Sequence, residues 1–195
     1  MENNNRLRRM RNTTLANLGM AIGSMGVFVV TGNGAYVAEA LHDTADVASH
    51  GSRLYMESSI NDQNSKKSKN LLKLGMLSVS ALSLYAATRI GADILNGVAN
   101  DVDTDNTRLN LASAGAIAAG NTYAYNQMSS IDEHSNASGS SLDHSKVDMF
   151  ASWGLAGSIA AEALGVDDAS QYGGFLFAIY TAAHLAVHAL KPHKH

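Results

Sequence analysis

Charged side chains are missing from long tracts of this chain. No Asp, Glu, Lys or Arg occurs in residues 12–38, 109–131, 149–161 or 169–190. A helix needs roughly 20 predominantly apolar residues to cross a bilayer, and three of the four tracts are that long. Residues 36–56 and 70–99 are also helix-length and mostly apolar, with scattered charges. Ala, Gly, Ser, Leu and Met dominate these segments, Pro occurs only at Pro192, and β-branched alternation is scarce. The pattern therefore predicts an all-α chain. Turn signals stand at "TGNG" (31–34), "NDVDTDN" (100–106) and "GVDD" (165–168). The expected architecture is a six-helix transmembrane bundle forming a single domain, 1–195, with helices at roughly 13–33, 36–56, 70–99, 107–129, 142–164 and 171–190.

A soluble helical bundle is the competing reading, and the mean hydropathy of -0.07 speaks for it. A soluble bundle helix, however, presents a charged outer face every turn or two, and the four tracts have none. Small residues such as Gly19, Gly23, Gly26, Gly115 and Gly120 suit close helix contacts in lipid, where packing drives association. Charge placement is an independent test. With a cytoplasmic N-terminus, the inside segments are "MENNNRLRRMR", the loop around "SKKSKN", the loop ending near Lys146 and the tail "KPHKH", and nearly all Lys and Arg lie there. The outside loops are neutral or acidic except for Arg108. This is the positive-inside pattern. The Arg-rich start lacks a cleavage site and reads as a retained cytoplasmic flank.

Composition removes several chemistries. There is no cysteine, so disulfides, thiolate metal sites and Cys nucleophiles are excluded. The net charge of -3 and the short, scattered basic clusters give no footprint for nucleic acid.

One stretch carries chemistry into the apolar background. In "ALHDTADVASH", His42 and Asp46 sit one turn apart, several residues in from "TGNG". Ionisable groups at that depth are costly and mark an ion or substrate path. A second HxxxD, His144 and Asp148, begins the fifth helix in "LDHSKVDMF". Two imidazoles and two carboxylates supply the four N/O ligands of a tetrahedral Zn²⁺ site between helices 2 and 5. The alternative is a pair of buried structural ion pairs.

At these residues the chain resembles the cation diffusion facilitator family. "VVTGNGAYVAEALHDTADVAS" is similar to the first two helices of that family, with Glu39 in place of the usual Asp. "NTYAYNQM" is similar to the end of its fourth helix and "HSKVD" to its fifth-helix HxxxD. The resemblance covers essentially the whole chain and implies that His42, Asp46, His144 and Asp148 form the transport site. It further implies efflux of a divalent cation, Zn²⁺ foremost, by proton antiport in a homodimer within the lipid bilayer. The expected location is a bacterial or archaeal cytoplasmic membrane, with both termini cytoplasmic. Family members commonly continue into a cytoplasmic metallochaperone-like domain, whereas this sequence stops at His195, so the expectation is the transmembrane domain alone. A non-transporting metal-binding or partner-binding protein of the same fold is the other reading.

The remaining polar residues have plainer expectations. His50 reads as a partly solvated helix-end histidine, with a relay or entry ligand as the other reading, and Glu39 and Asp43 either line the outer path or serve as solvated or capping groups. Arg89 and Asp93, one turn apart, are expected to pair with each other. His184 and His188 read as packing or interface positions, as does Trp153. His134, His193 and His195 fall in a loop and the tail.

Overall fold

The structure is a computed structural model and describes residues 2–58, 62–96, 106–132 and 139–190. Within them the chain forms six α-helices: α1 (Glu2–Thr31), α2 (Ala35–Ser58), α3 (Asp62–Leu95), α4 (Thr107–Asp132), α5 (Gly139–Ala163) and α6 (Ala169–Leu190). There is no strand among the described residues. Two helices begin well before the expected positions, α1 at Glu2 rather than near residue 13 and α3 at Asp62 rather than near 70. The added turns are polar stretches, "ENNNRLRRMRN" and "DQNSKKSK", without Gly or Pro to break them. Hydropathy marks the apolar part of a helix, whereas backbone hydrogen bonding runs on until a breaker stops it. Among the described residues one segment, Asn5–Thr31, is both long and apolar enough to span a membrane on length and hydropathy alone.

The α1–α2 and α5–α6 connections are built from local turn chemistry. Gly32 adopts φ 69°, and its N–H donates to the Phe28 carbonyl at 2.7 Å, closing α1 in the left-handed conformation that glycine tolerates. Asn33 then accepts from the Ala35 N–H at 3.0 Å, capping the start of α2. At the other connection Gly165, φ 92°, ends α5, with the Val166 N–H reaching back to the Ala161 carbonyl at 3.0 Å. Side chains lace this turn end together: Asn33 Nδ2 donates to Ser170 Oγ at 3.2 Å, and the Ser170 N–H donates to Glu162 Oε2 at 2.6 Å.

Helix packing follows a definite plan. The closely packed pairs are α1 with α2 and α4, α4 with α5, α3 with α6, and α2 with α3 and α6, while α5 also packs on α6. The apolar core has two parts. Met20, Tyr36, Ile117, Leu155, Ile159, Phe177 and several alanines fill the half nearer the turn end. Ala45, Met76 and Leu185 form a smaller cluster in the other half.

The distribution of polarity is inverted relative to a soluble bundle. Thr13, Asn17 and Ser24 of α1, Glu39 to His50 of α2, Ser83 of α3, Asn121 of α4, Asp148 and Ser152 of α5 and Thr181 of α6 include most of the buried polar groups. On the outside, Ile22, Val29, Leu74, Tyr85 and Leu176 are between 63% and 75% exposed. Such a surface is unfavourable in water, at about 25 cal/mol per Å², and neutral in lipid, where interior polar groups must find one another. The soluble-bundle reading fails on this arrangement.

Candidate metal centre

The inward face of α2 explains the site. Residues three and four apart share a helix face, so Glu39, His42, Asp43, Asp46 and His50 form one stripe, and all five are at most 3% exposed. On α5, Asp148 and Ser152 make the corresponding stripe, also buried. His42 Nε2 lies 3.3 Å from Asp148 Oδ1 and 3.7 Å from Asp46 Oδ2. One ligand atom from each of these residues lies within 4.8 Å of the others. Three members of the expected quartet therefore converge across the bundle centre. The fourth, His144, stands one turn before Asp148 on α5, and its side chain lies outside the described residues.

The two helices do not lie side by side. α2 and α5 are not among the closely packed helix pairs of the described residues, and they meet through long polar side chains: His42 with Asp148, and Ser152 Oγ donating to Glu39 Oε1 at 2.7 Å. Packing against α6 fixes the imidazole. Thr181 Oγ1 is 3.4 Å from His42 Nδ1, and the Phe177 ring stands edge-on at 5.2 Å. The hydroxyl of Tyr180 donates to Asp148 Oδ1 at 3.3 Å. Nδ1 thus faces Thr181, and the Nε2 edge faces the two carboxylates, the edge from which the ring would hold a metal.

Several expectations for single residues are corrected. His50 is 2% exposed, not half-solvated, because α1 packs along that face of α2. Glu39 and Asp43 are fully buried rather than solvated or capping. Arg89 and Asp93 form no ion pair within 4 Å; they line a lateral cavity of about 380 Å³ with Val37, Leu41 and Tyr85. Trp153 is half exposed and donates from Nε1 to Thr122 Oγ1 at 3.0 Å. His184 stacks at a tilt on Tyr180, 5.5 Å between ring centroids, while the His188 side chain lies outside the described residues, as do His134, His193 and His195.

Asn121, Ser152, Tyr180 and Thr181 went unseen in the sequence. Asn121 Nδ2 donates to Glu39 Oε1 at 3.0 Å and to Ser152 Oγ at 2.7 Å. A signal for Ser152 existed, since it continues the His144/Asp148 stripe by one further turn, and Asn121 is an amide inside a charge-free tract. Serines and amides are too common in this chain for that to single them out.

Residues 12–191 match the family model described as the cation efflux transmembrane domain. The chain belongs to the cation efflux family. Cation efflux proteins are transporters of divalent metal cations and not enzymes, so this chain is a membrane protein, and it carries a buried His/Asp cluster able to hold a metal ion. No curated protein sequence matches this cation efflux chain significantly.

Proposed function

We propose that the chain moves Zn²⁺ out across a membrane in exchange for protons, with the ion held in transit by His42, Asp46, His144 and Asp148. The observation that carries this reading is the convergence of His42, Asp46 and Asp148 from two helices, all three at most 3% exposed, around a common point. Two carboxylates and an imidazole already form a mixed N/O set, and His144 supplies a second nitrogen one turn away along α5. Four such ligands suit tetrahedral Zn²⁺, whereas Mg²⁺ and Ca²⁺ favour six or more oxygens. Antiport follows from the same groups. Zn²⁺ needs neutral imidazole and ionised carboxylate, so entry of the ion expels protons and entry of protons expels the ion. Acidification on one side therefore unloads the site toward that side.

The test is transport in reconstituted vesicles with a zinc-sensitive dye and a pH-sensitive dye read together. Asp148→Ala is expected to lose Zn²⁺ movement and the opposing proton movement together. Asp93→Ala, outside the cluster, is expected to retain both. An Asp148→Ala protein that exchanges Zn²⁺ for protons at the normal rate would overturn the reading.

A further inference from the structure

The interior contains more carboxyl groups than one divalent ion can neutralise in their ionised form. Four carboxylates, Glu39, Asp43, Asp46 and Asp148, are buried, and no Lys or Arg is buried among the described residues. A single divalent ion at the His42 cluster neutralises half of that charge. Asp46 and Asp148 belong to this cluster; Glu39 and Asp43 do not. Uncompensated carboxylates in such surroundings are among the costliest groups to bury.

The geometry of the two extra carboxylates is open on one side. Glu39 Oε1 is held by Asn121 and Ser152, which fixes the carboxylate. Its other oxygen, Oε2, has no hydrogen-bond partner among the described residues, nor has either oxygen of Asp43, and both residues are 0% exposed. Glu39 also lines a small, partly open space of about 10 Å³ with Tyr36, Ser152 and Leu155, which Asp43 does not line, room at most for a single water-sized body. Asp43 stands one turn along the same helix, where Cβ atoms are about 5–6 Å apart, within reach of a shared ion.

We propose that Glu39 and Asp43 hold a second divalent cation at the same time as the His42 cluster holds the first, displaced along α2 toward the turn end. Two dications bring the four carboxylates to neutrality. The second position is oxygen-only, with Asn121 and Ser152 as positioning residues, and it binds more loosely than the imidazole-containing one, so an ion there is the next to leave. The proposal rests on the transport reading only in taking the same ion, Zn²⁺, as ligand.

Zn²⁺ bound per chain at saturation, measured by equilibrium dialysis of the purified full chain in lipid nanodiscs, tests this. The wild type is expected to hold one ion more than the isosteric Glu39→Gln/Asp43→Asn variant, and one more than Asp46→Asn/Asp148→Asn. Ions bound by loop or tail histidines are common to all three proteins and cancel. Equal counts in the wild type and Glu39→Gln/Asp43→Asn would overturn the second site while leaving the first intact. Loss from that variant with no loss from Asp46→Asn/Asp148→Asn would instead overturn the transport reading. Should the double variant not fold, titration of the wild type with Zn²⁺ at fixed protein decides alone: two successive saturating steps that survive changing His134, His193 and His195 to alanine support the proposal, and a single step defeats it.

Discussion

Thr181 makes no contribution through charge, yet its hydroxyl, 1% exposed and 3.4 Å from His42 Nδ1, decides which imidazole nitrogen faces Asp46 and Asp148. Removing such an orienting partner typically reduces metal affinity by 10–100-fold. Thr181→Val keeps the shape and deletes the hydroxyl, so a loss of about that size in Zn²⁺ affinity is expected, with the fold intact by circular dichroism. Unchanged affinity would mean that Phe177 packing alone orients the ring. At this scale the sequence was legible where spacing along one helix sufficed. His42, Asp46 and Asp148 stand out as ionisable groups in apolar surroundings at helical spacing. Glu39, Asp43 and His50 occupy the same stripe, but the sequence leaves them open between path-lining and solvated roles, since burial at those positions depends on α1, α4 and α5 covering them. Spacing within α2 cannot show that. Thr181 acts on His42 across 139 residues and Tyr180 on Asp148 across 32, both from α6, and nothing local marks them.

Helices here approach closely at a few glycines. A Cβ on Gly174 of α6 would stand 2.7 Å from the Ala35 Cα of α2, against backbone that cannot swing aside. Gly174→Ala must therefore push α6 away from α2, and overpacking of this kind costs about 1–3 kcal/mol. The thermal midpoint is expected to fall, and Zn²⁺ affinity with it, because Thr181 lies two turns further along α6. Gly154→Ala is the control: a Cβ there meets nothing within 4 Å, and alanine gains about 0.5–1 kcal/mol over glycine in a helix. Its midpoint should hold or rise. Equal midpoints for the two variants would show that α6 tolerates displacement. The expected ends of α2, α4, α5 and α6 fall within about three residues of the helix ends, since turns or loops mark them. The expected ranges missed the polar first turns of α1 and α3, which are helical by backbone bonding without being apolar.

Across the whole molecule, apolar side chains face outward and carboxylates face one another, as expected of a chain surrounded by lipid. The distribution of Lys and Arg predicts an orientation, with Lys66 expected on the cytoplasmic side and Asp103 on the other. Single cysteines placed at these two positions, which no native cysteine confuses, are expected to label from opposite faces of sealed vesicles. Labelling of both from one face would remove the six-span topology. The inverted polarity was foreshadowed by the missing charged faces, whereas the low mean hydropathy pointed the other way because it averages a polar interior with an apolar exterior.

The wide spacing of α2 and α5 bears on how such a molecule moves. Each is seated firmly on other neighbours, α2 on α1, α3 and α6, and α5 on α4 and α6, while midway along the two helices polar side chains bridge between them, His42 to Asp148 and Ser152 to Glu39. Hydrogen bonds of this sort contribute about 0.5–1.5 kcal/mol each, or about 1.5–3 when one partner is charged, and water arriving between the helices replaces them with bonds of its own. An apolar seam has to part there only toward the turn end, where Tyr36 shares the core with Leu155 and Ile159. A loosely packed lateral join thus passes through the cluster of buried carboxylates, so that on the proposed reading a bound ion acts as a rivet across the join, and its departure leaves the two halves less firmly fastened at the moment the site must exchange sides.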